Sequence, residues 1–263
     1  MKKGAVGGMC AAIHSTLAQS RENGHIFTST LNCFGVPGLK TSARLRYLAD
    51  ALNRSSYAMV CLQEVHTHAY RTLIMQGCRT CYPAQAYQQF IHTPKGGLLT
   101  LSHPPIDGHE FILFQNRGLW YTPAVMDWIL HKGVLITHTH VEDTPVTVLN
   151  THLTANYTGD GEKQPVRPAG TWRTLQIADL VNAQPHDHLV VLCGDFNIPR
   201  GSWLCDHDER NRADRSLAGD TRPTFRPYSG MGMHHSAPSI SPCTAPHPCS
   251  MFAPSRICDL RRK

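Results

Sequence analysis

Charge is scarce in this sequence, and long apolar runs are missing. Only 17% of its residues are charged, against roughly 25% in an average globular chain. That is too little for a chain kept disordered by self-repulsion. No apolar stretch approaches the ~20 residues that a membrane-spanning helix needs. The sequence also lacks GxxxxGK[ST], HExxH and GxSxG, which removes the common nucleotide-binding, zinc-protease and serine-hydrolase readings. Cysteine is present in number, with ten residues, but in no framework. Cys33, Cys61 and Cys193 fall inside apolar strand patterns, where a thiol acts as a small hydrophobe. Cys78 and Cys81 form a CxxC pair with no second pair at zinc-like spacing, so the pair reads as chance or as a local surface feature.

The 263 residues suit one sizeable domain. The net charge is +6, with a pI near 8.8. Its basic residues are scattered, apart from Arg261, Arg262 and Lys263 at the end. A solvated surface and an attraction to phosphate-bearing partners both fit that distribution. At the start, Lys2 and Lys3 precede small apolar residues. His14 and Ser15 interrupt the run, and no A-x-A site follows. Residues 1–24 are therefore expected to be disordered or weakly targeting, with a cytoplasmic location and secretion as the alternative.

Ordered patterning begins near His25. Residues 26–32, 57–65, 109–116, 132–141, 145–153 and 188–197 read as strands, the fourth and fifth joined as a hairpin through 142–144. Leu45, Leu48, Ala49 and Leu52 have helical spacing behind Thr41 or Ser42 as caps. Residues 66–76 and 171–184 read as further helices, the latter capped by Thr171. Strands outnumber helices, and the helices fall between strands, which argues for packed sheets with helices outside. Residues 25–229 form the domain, and composition changes near Gly230. From Pro227 onward there are six prolines and three cysteines with no strand or helix period. Residues 230–263 are expected to be a disordered or degenerate tail, with a frameshift as one origin.

Several strand ends deliver polar groups suited to metal or phosphate: Asn32, Glu64, the Asn150/His152 pair and the Asp195/Asn197 pair. A hard divalent cation such as Mg²⁺ takes oxygen ligands, usually one or two carboxylates plus substrate phosphate. Glu64 and Asp195 can supply them. His152 can donate to a phosphoryl oxygen or hold a carboxylate. If the strand continues through "GDFN", Asp195 and Asn197 share a face. Each signal alone is weak, because a carboxylate after a strand is usually only a strand end.

In order, "TLNCFG", "CLQEV", "GGLLTLSHPPI", "NTHL" and "GDFN" resemble the endonuclease/exonuclease/phosphatase superfamily across about residues 25–228. "DWILHKGVL" and "TWRTLQIADLV" look most like its sphingomyelinase-related and uncharacterised bacterial members. The resemblance implies a four-layer α/β sandwich, with two mixed sheets face to face and helices outside. It also implies Mg²⁺-dependent (Mn²⁺ as substitute) hydrolysis of a phosphodiester or phosphomonoester by water. Asn32 and Glu64 would form the metal site. Asn150 would contact substrate, His152 would polarise the phosphoryl group, Asp195 would activate water and Asn197 would contact phosphate.

One departure concerns the end of the family pattern, an "R-I-D-Y" strand followed by Ser-Asp-His. Here "SRICDLRRK" places Cys258 before Asp259, and His234, His235 and His247 lack the expected context. The expectation is a missing final strand and catalytic loop, with low activity. A non-catalytic protein on the same scaffold is the alternative. A phospholipid head group, a nucleic acid and a small phosphoester all remain open as substrates. Trp120, Tyr121 and Trp128 fit either a lipid interface or ordinary packing.

Overall fold

A computed structural model describes residues 26–38, 40–91, 93–115, 129–153, 168–197 and 254–256. Trp120, Tyr121, Trp128, the first 24 residues and most of the tail lie outside the described residues. So do His234, His235, His247 and Asp259.

One mixed sheet contains β1 (Phe27–Asn32), β2 (Met59–Gln63), β3 (Ala84–Ala86), β4 (Leu99–Ser102) and the short β9 (Pro254–Arg256). Its order is β3-β4-β2-β1-β9, and only β1 and β2 are parallel. The second sheet runs β5 (Ile106–Leu113), β6 (Gly133–Val141), β7 (Thr144–His152) and β8 (Leu189–Asp195) in chain order, with β7 and β8 parallel. The expected hairpin is the β6–β7 connection, a two-residue turn with Glu142 at φ 57°.

Period-two burial sorts the strands into layers. Met59 and Cys61 of β2 meet Val146 and Val148 of β7 and Val191 and Cys193 of β8, forming the layer between the sheets. Val60 and Leu62 face the other way. They pack with Leu45, Leu48, Ala49 and Leu52 of α1 (Thr41–Leu52) and Ile74 of α2 (His68–Cys78). Behind the second sheet, Ile177 of α3 (Pro168–Asn182) joins Phe114, Val134, Ile136 and Leu149. The layers are helix, sheet, sheet, helix, as the four-layer sandwich requires.

Several local expectations change. Thr41 does not cap α1. Its hydroxyl donates to the Val36 carbonyl at 2.6 Å, and Lys40, left-handed at φ 55°, precedes the helix without a side-chain cap. The second helix starts two residues later than its pattern suggests, because Thr67 accepts the Tyr70 N–H at 3.0 Å and fixes the start. Thr171 lies inside α3, which begins at Pro168, a residue suited to a first turn. Cys78 and Cys81 are buried, not at the surface, and their thiols donate to the carbonyls of Ala49 and Asn53. Burial pushes the Cys78 thiol up to about 12, which disfavours its thiolate. The tail also contributes structure: Pro254–Arg256 pairs antiparallel with Phe27–Ser29 and covers the outer side of β1. A proline can sit there because an edge strand has one side that needs no donor.

Asn150 lies in the layer between the sheets with no exposed surface. Its carbonyl oxygen accepts from Gln63 Nε2 at 2.8 Å, and its Nδ2 donates to the Leu62 and Leu99 carbonyls at 3.2 and 3.3 Å. This hydrogen-bonded tie joins the two sheets, and a buried polar group stripped of its partner costs about 1–3 kcal/mol. Replacing Asn150 by Ala should therefore lower unfolding free energy by about that amount in urea titration. An unchanged midpoint would show that the tie contributes nothing.

Candidate active site

The parity that builds the central layer also positions the polar strand ends. Strands β1 and β2 are parallel with Asn32 opposite Gln63, and β7 and β8 are parallel with His152 opposite Asp195. The four strands end together. Asn32 then spans the two sheets: its Nδ2 donates to Glu64 Oε1 at 2.8 Å and to Asp195 Oδ2 at 2.9 Å. His152 Nε2 stands 3.9 Å from each of the same two carboxylate oxygens. Asn32, Glu64, His152 and Asp195 are thus gathered at one point.

Strict alternation would put Glu64 on the helix side with Val60 and Leu62. A left-handed backbone at φ 58° breaks the repeat and turns the carboxylate to Asn32. That conformation costs roughly 1–2 kcal/mol for an L-residue, so the surroundings must hold it. A Cβ on Gly35 would overlap the Glu64 carbonyl oxygen. On the other side Gly97, at φ 67°, accepts the Val65 N–H at 2.9 Å, and a Cβ there would lie 3.4 Å from Glu64 Cα. Two glycines from separate loops therefore clasp the Glu64 backbone.

Asn197 reaches the site differently from the extended "GDFN" expectation. The strand stops at Asp195, and Asn197 is left-handed at φ 51°. Its N–H donates to Asp195 Oδ1 at 3.0 Å, and its Nδ2 donates to the Leu153 carbonyl at 2.9 Å. Both oxygens of Asp195 are thus oriented, one by Asn32 and one by Asn197. Asn150 does not join them. Its expected contact with substrate is replaced by the buried tie between sheets, because the strand parity turns it inward.

His66 belongs to the cluster and was not singled out from sequence. Its Nε2 lies 3.6 Å from Glu64 Oε2, and its buried Nδ1 has no hydrogen-bond partner among the described residues. Its position two residues after Glu64 was the only available signal. Burial works against ionisation of Glu64. The adjoining His66 ring, the Asn32 amide and His152 outweigh it and hold the carboxyl below the usual glutamate range.

The donor set fits a hard divalent cation. Among the described residues no three His, Cys, Asp or Glu side chains form a ready cage. Mg²⁺ does not need one, since it keeps several waters and takes one or two carboxylates with substrate oxygens. Glu64 is partly buried yet favoured as the anion, and Asp195 shares its bridging amide. Asn32→Ala removes a hydrogen bond that favours ionised Glu64, so the Glu64 pKa should rise. Protons would then compete with Mg²⁺ at higher pH. Calorimetric titration with Mg²⁺ between pH 4 and 7 should show affinity falling off at higher pH in the variant, and identical profiles would contradict the arrangement.

A model of the Endonuclease/Exonuclease/phosphatase family matches residues 29–245. Human sphingomyelin phosphodiesterase 2 is 28% identical over 171 residues, covering 64% of this chain and 40% of the relative. The chain thus spans about two fifths of that protein's length. Sphingomyelinase C from Streptomyces griseocarneus has the same fold, with a TM-score of 0.57 at 24% identity, over 68% of this chain and 66% of that one. A Staphylococcus aureus beta toxin mutant with bound magnesium ions also shares the fold, with a TM-score of 0.57 at 16% identity, covering 71% of this chain and 70% of the toxin. The family match takes in most of the sequence, and the chain belongs to the Endonuclease/Exonuclease/phosphatase family.

Proposed function

We propose that this chain hydrolyses a phosphodiester by attack of water, with Mg²⁺ as its resident metal and a sphingolipid head group as the substrate class. The observation that carries this reading is the single Asn32 amide shared by Glu64 and Asp195, flanked by His152 and His66. Glu64 and Asn32 would hold the metal, with Mn²⁺ as a substitute. When bound, Mg²⁺ neutralises charge developing on the phosphoryl oxygens.

The remaining work falls to side chains. Asp195, fixed through both oxygens, orients the attacking water and takes its proton. His152 Nε2, 3.9 Å from an oxygen of each carboxylate, is assigned to a non-bridging phosphoryl oxygen. Asn197 adds a contact to phosphate through the part of its amide not given to Leu153. The sphingolipid assignment rests on the activities named for the relatives and on the sphingomyelinase-like segments "DWILHKGVL" and "TWRTLQIADLV" of the sequence.

The test uses the purified chain with sphingomyelin vesicles and, separately, bis(p-nitrophenyl) phosphate. Turnover should require Mg²⁺ or Mn²⁺ and stop with EDTA. Glu64→Gln and Asp195→Asn should each lower kcat by about 10²-fold or more. Activity that survives both substitutions would mean the site is elsewhere. Cleavage of the generic diester or of DNA, but not of sphingomyelin, would overturn the substrate class. No turnover of any diester would favour the non-catalytic alternative.

A further inference from the structure

Lys132 immediately precedes β6 and is only 7% exposed. Burying an ammonium group is costly unless it is well bonded, so its placement calls for a reason. The β6–β7 register pairs Val134 with Thr151, which brings Lys132 level with Leu153 just past the end of β7. There its Nζ donates to the Leu153 carbonyl at 2.9 Å. That same carbonyl accepts Asn197 Nδ2 at 2.9 Å.

The Leu153 peptide unit is tied on its other side as well. Its N–H donates to the Asp195 carbonyl at 2.8 Å. Asn197 returns to Asp195 through its backbone N–H at 3.0 Å to Oδ1. A short closed circuit therefore links Leu153, Asn197 and Asp195, and Lys132 joins it at the Leu153 carbonyl. Within it, Lys132 supplies the charged donor, and charge-assisted bonds are about twice as strong as neutral ones.

Asn197 sits in a left-handed conformation just after a strand, and such a residue keeps its orientation only if its surroundings determine it. The Leu153 carbonyl is the acceptor for its side chain, and Lys132 fixes where that carbonyl points. From this geometry we infer that Lys132 is a positioning residue. It acts through Leu153 to orient the Asn197 amide, and through Asn197 the Asp195 carboxylate that faces the reacting water. A purely structural role, closing the end of the β6–β7 ladder, would affect stability without affecting Asn197.

The kinetic part of this inference rests on the phosphodiesterase reading, and the test has a readout independent of it. In ¹⁵N spectra of the full chain, the Asn197 side-chain amide pair is identified by its loss in Asn197→Asp. Wild type should show a dispersed pair. Lys132→Met should move it to the averaged position of a freely rotating amide, whereas Lys132→Arg should leave it dispersed. Where wild type turns over a diester, Lys132→Met should lower kcat on the order of 10–100-fold, with KM changed less than about twofold. Combined with Asn197→Ala, it should cost little more than Asn197→Ala alone. Should Lys132→Met fail to fold, Lys132→Gln replaces it in both measurements. An Asn197 resonance unmoved by loss of Lys132, or two substitutions whose effects multiply, would overturn the inference. Absence of turnover in wild type would sink the enzymatic reading and leave the resonance measurement to decide this one.

Discussion

One side-chain amide, that of Asn32, holds together what would otherwise repel. Glu64 follows a strand of one sheet, and Asp195 ends a strand of the other. Two carboxylates sharing a site disfavour each other's ionised form. The Asn32 NH₂ offers each of them a hydrogen and adds no net charge. Its ability to do so depends on register. Had β1 or β8 slipped by one residue, Asn32 or Asp195 would face a helix layer. The layer of Met59, Cys61, Val146, Val148, Val191 and Cys193 sets that register, and the Gln63–Asn150 bond locks it one residue short of the site.

The site departs from regular structure where chemistry requires it. Glu64 and Asn197 both adopt left-handed backbone conformations, and both lie just past the ends of strands. Each is stabilised from outside its own segment, Glu64 by the close approach of Gly35 and Gly97, Asn197 by the Leu153 carbonyl. At Glu64 the effect is to turn the side chain from its alternating position toward the common centre; at Asn197 it brings the side-chain amide to the Leu153 carbonyl. Strain of this kind persists only where the surrounding fold overdetermines it.

Much of the architecture was legible because period-two and helical patterns report burial directly. The strand ending in Asp195 and the α1 stripe of Leu45, Leu48, Ala49 and Leu52 are clear cases. Asn32, Glu64, His152 and Asp195 were singled out because each ends or directly follows a recognisable strand, and the fold brings them together. Asn150 was misread because sequence places it beside His152 without revealing that its strand end is still inside the sandwich. His66 and Lys132 went unnoticed because their significance lies in contacts across the fold, to Glu64 and to Leu153. The pairing of Pro254–Arg256 with β1 was hidden for a related reason: three residues in a proline-rich stretch carry no periodicity of their own. Local signals exposed which residues end strands, and only tertiary packing showed which ends meet.

The central claim is that Glu64 and Asp195 converge, through Asn32, on one divalent-cation site. Anomalous diffraction from crystals grown with Mn²⁺ tests it most directly. A manganese peak within coordination distance of a Glu64 oxygen, on the side facing Asp195 and His152, is the result the account predicts. At saturating Mn²⁺, a peak only at other residues, or none, would contradict it.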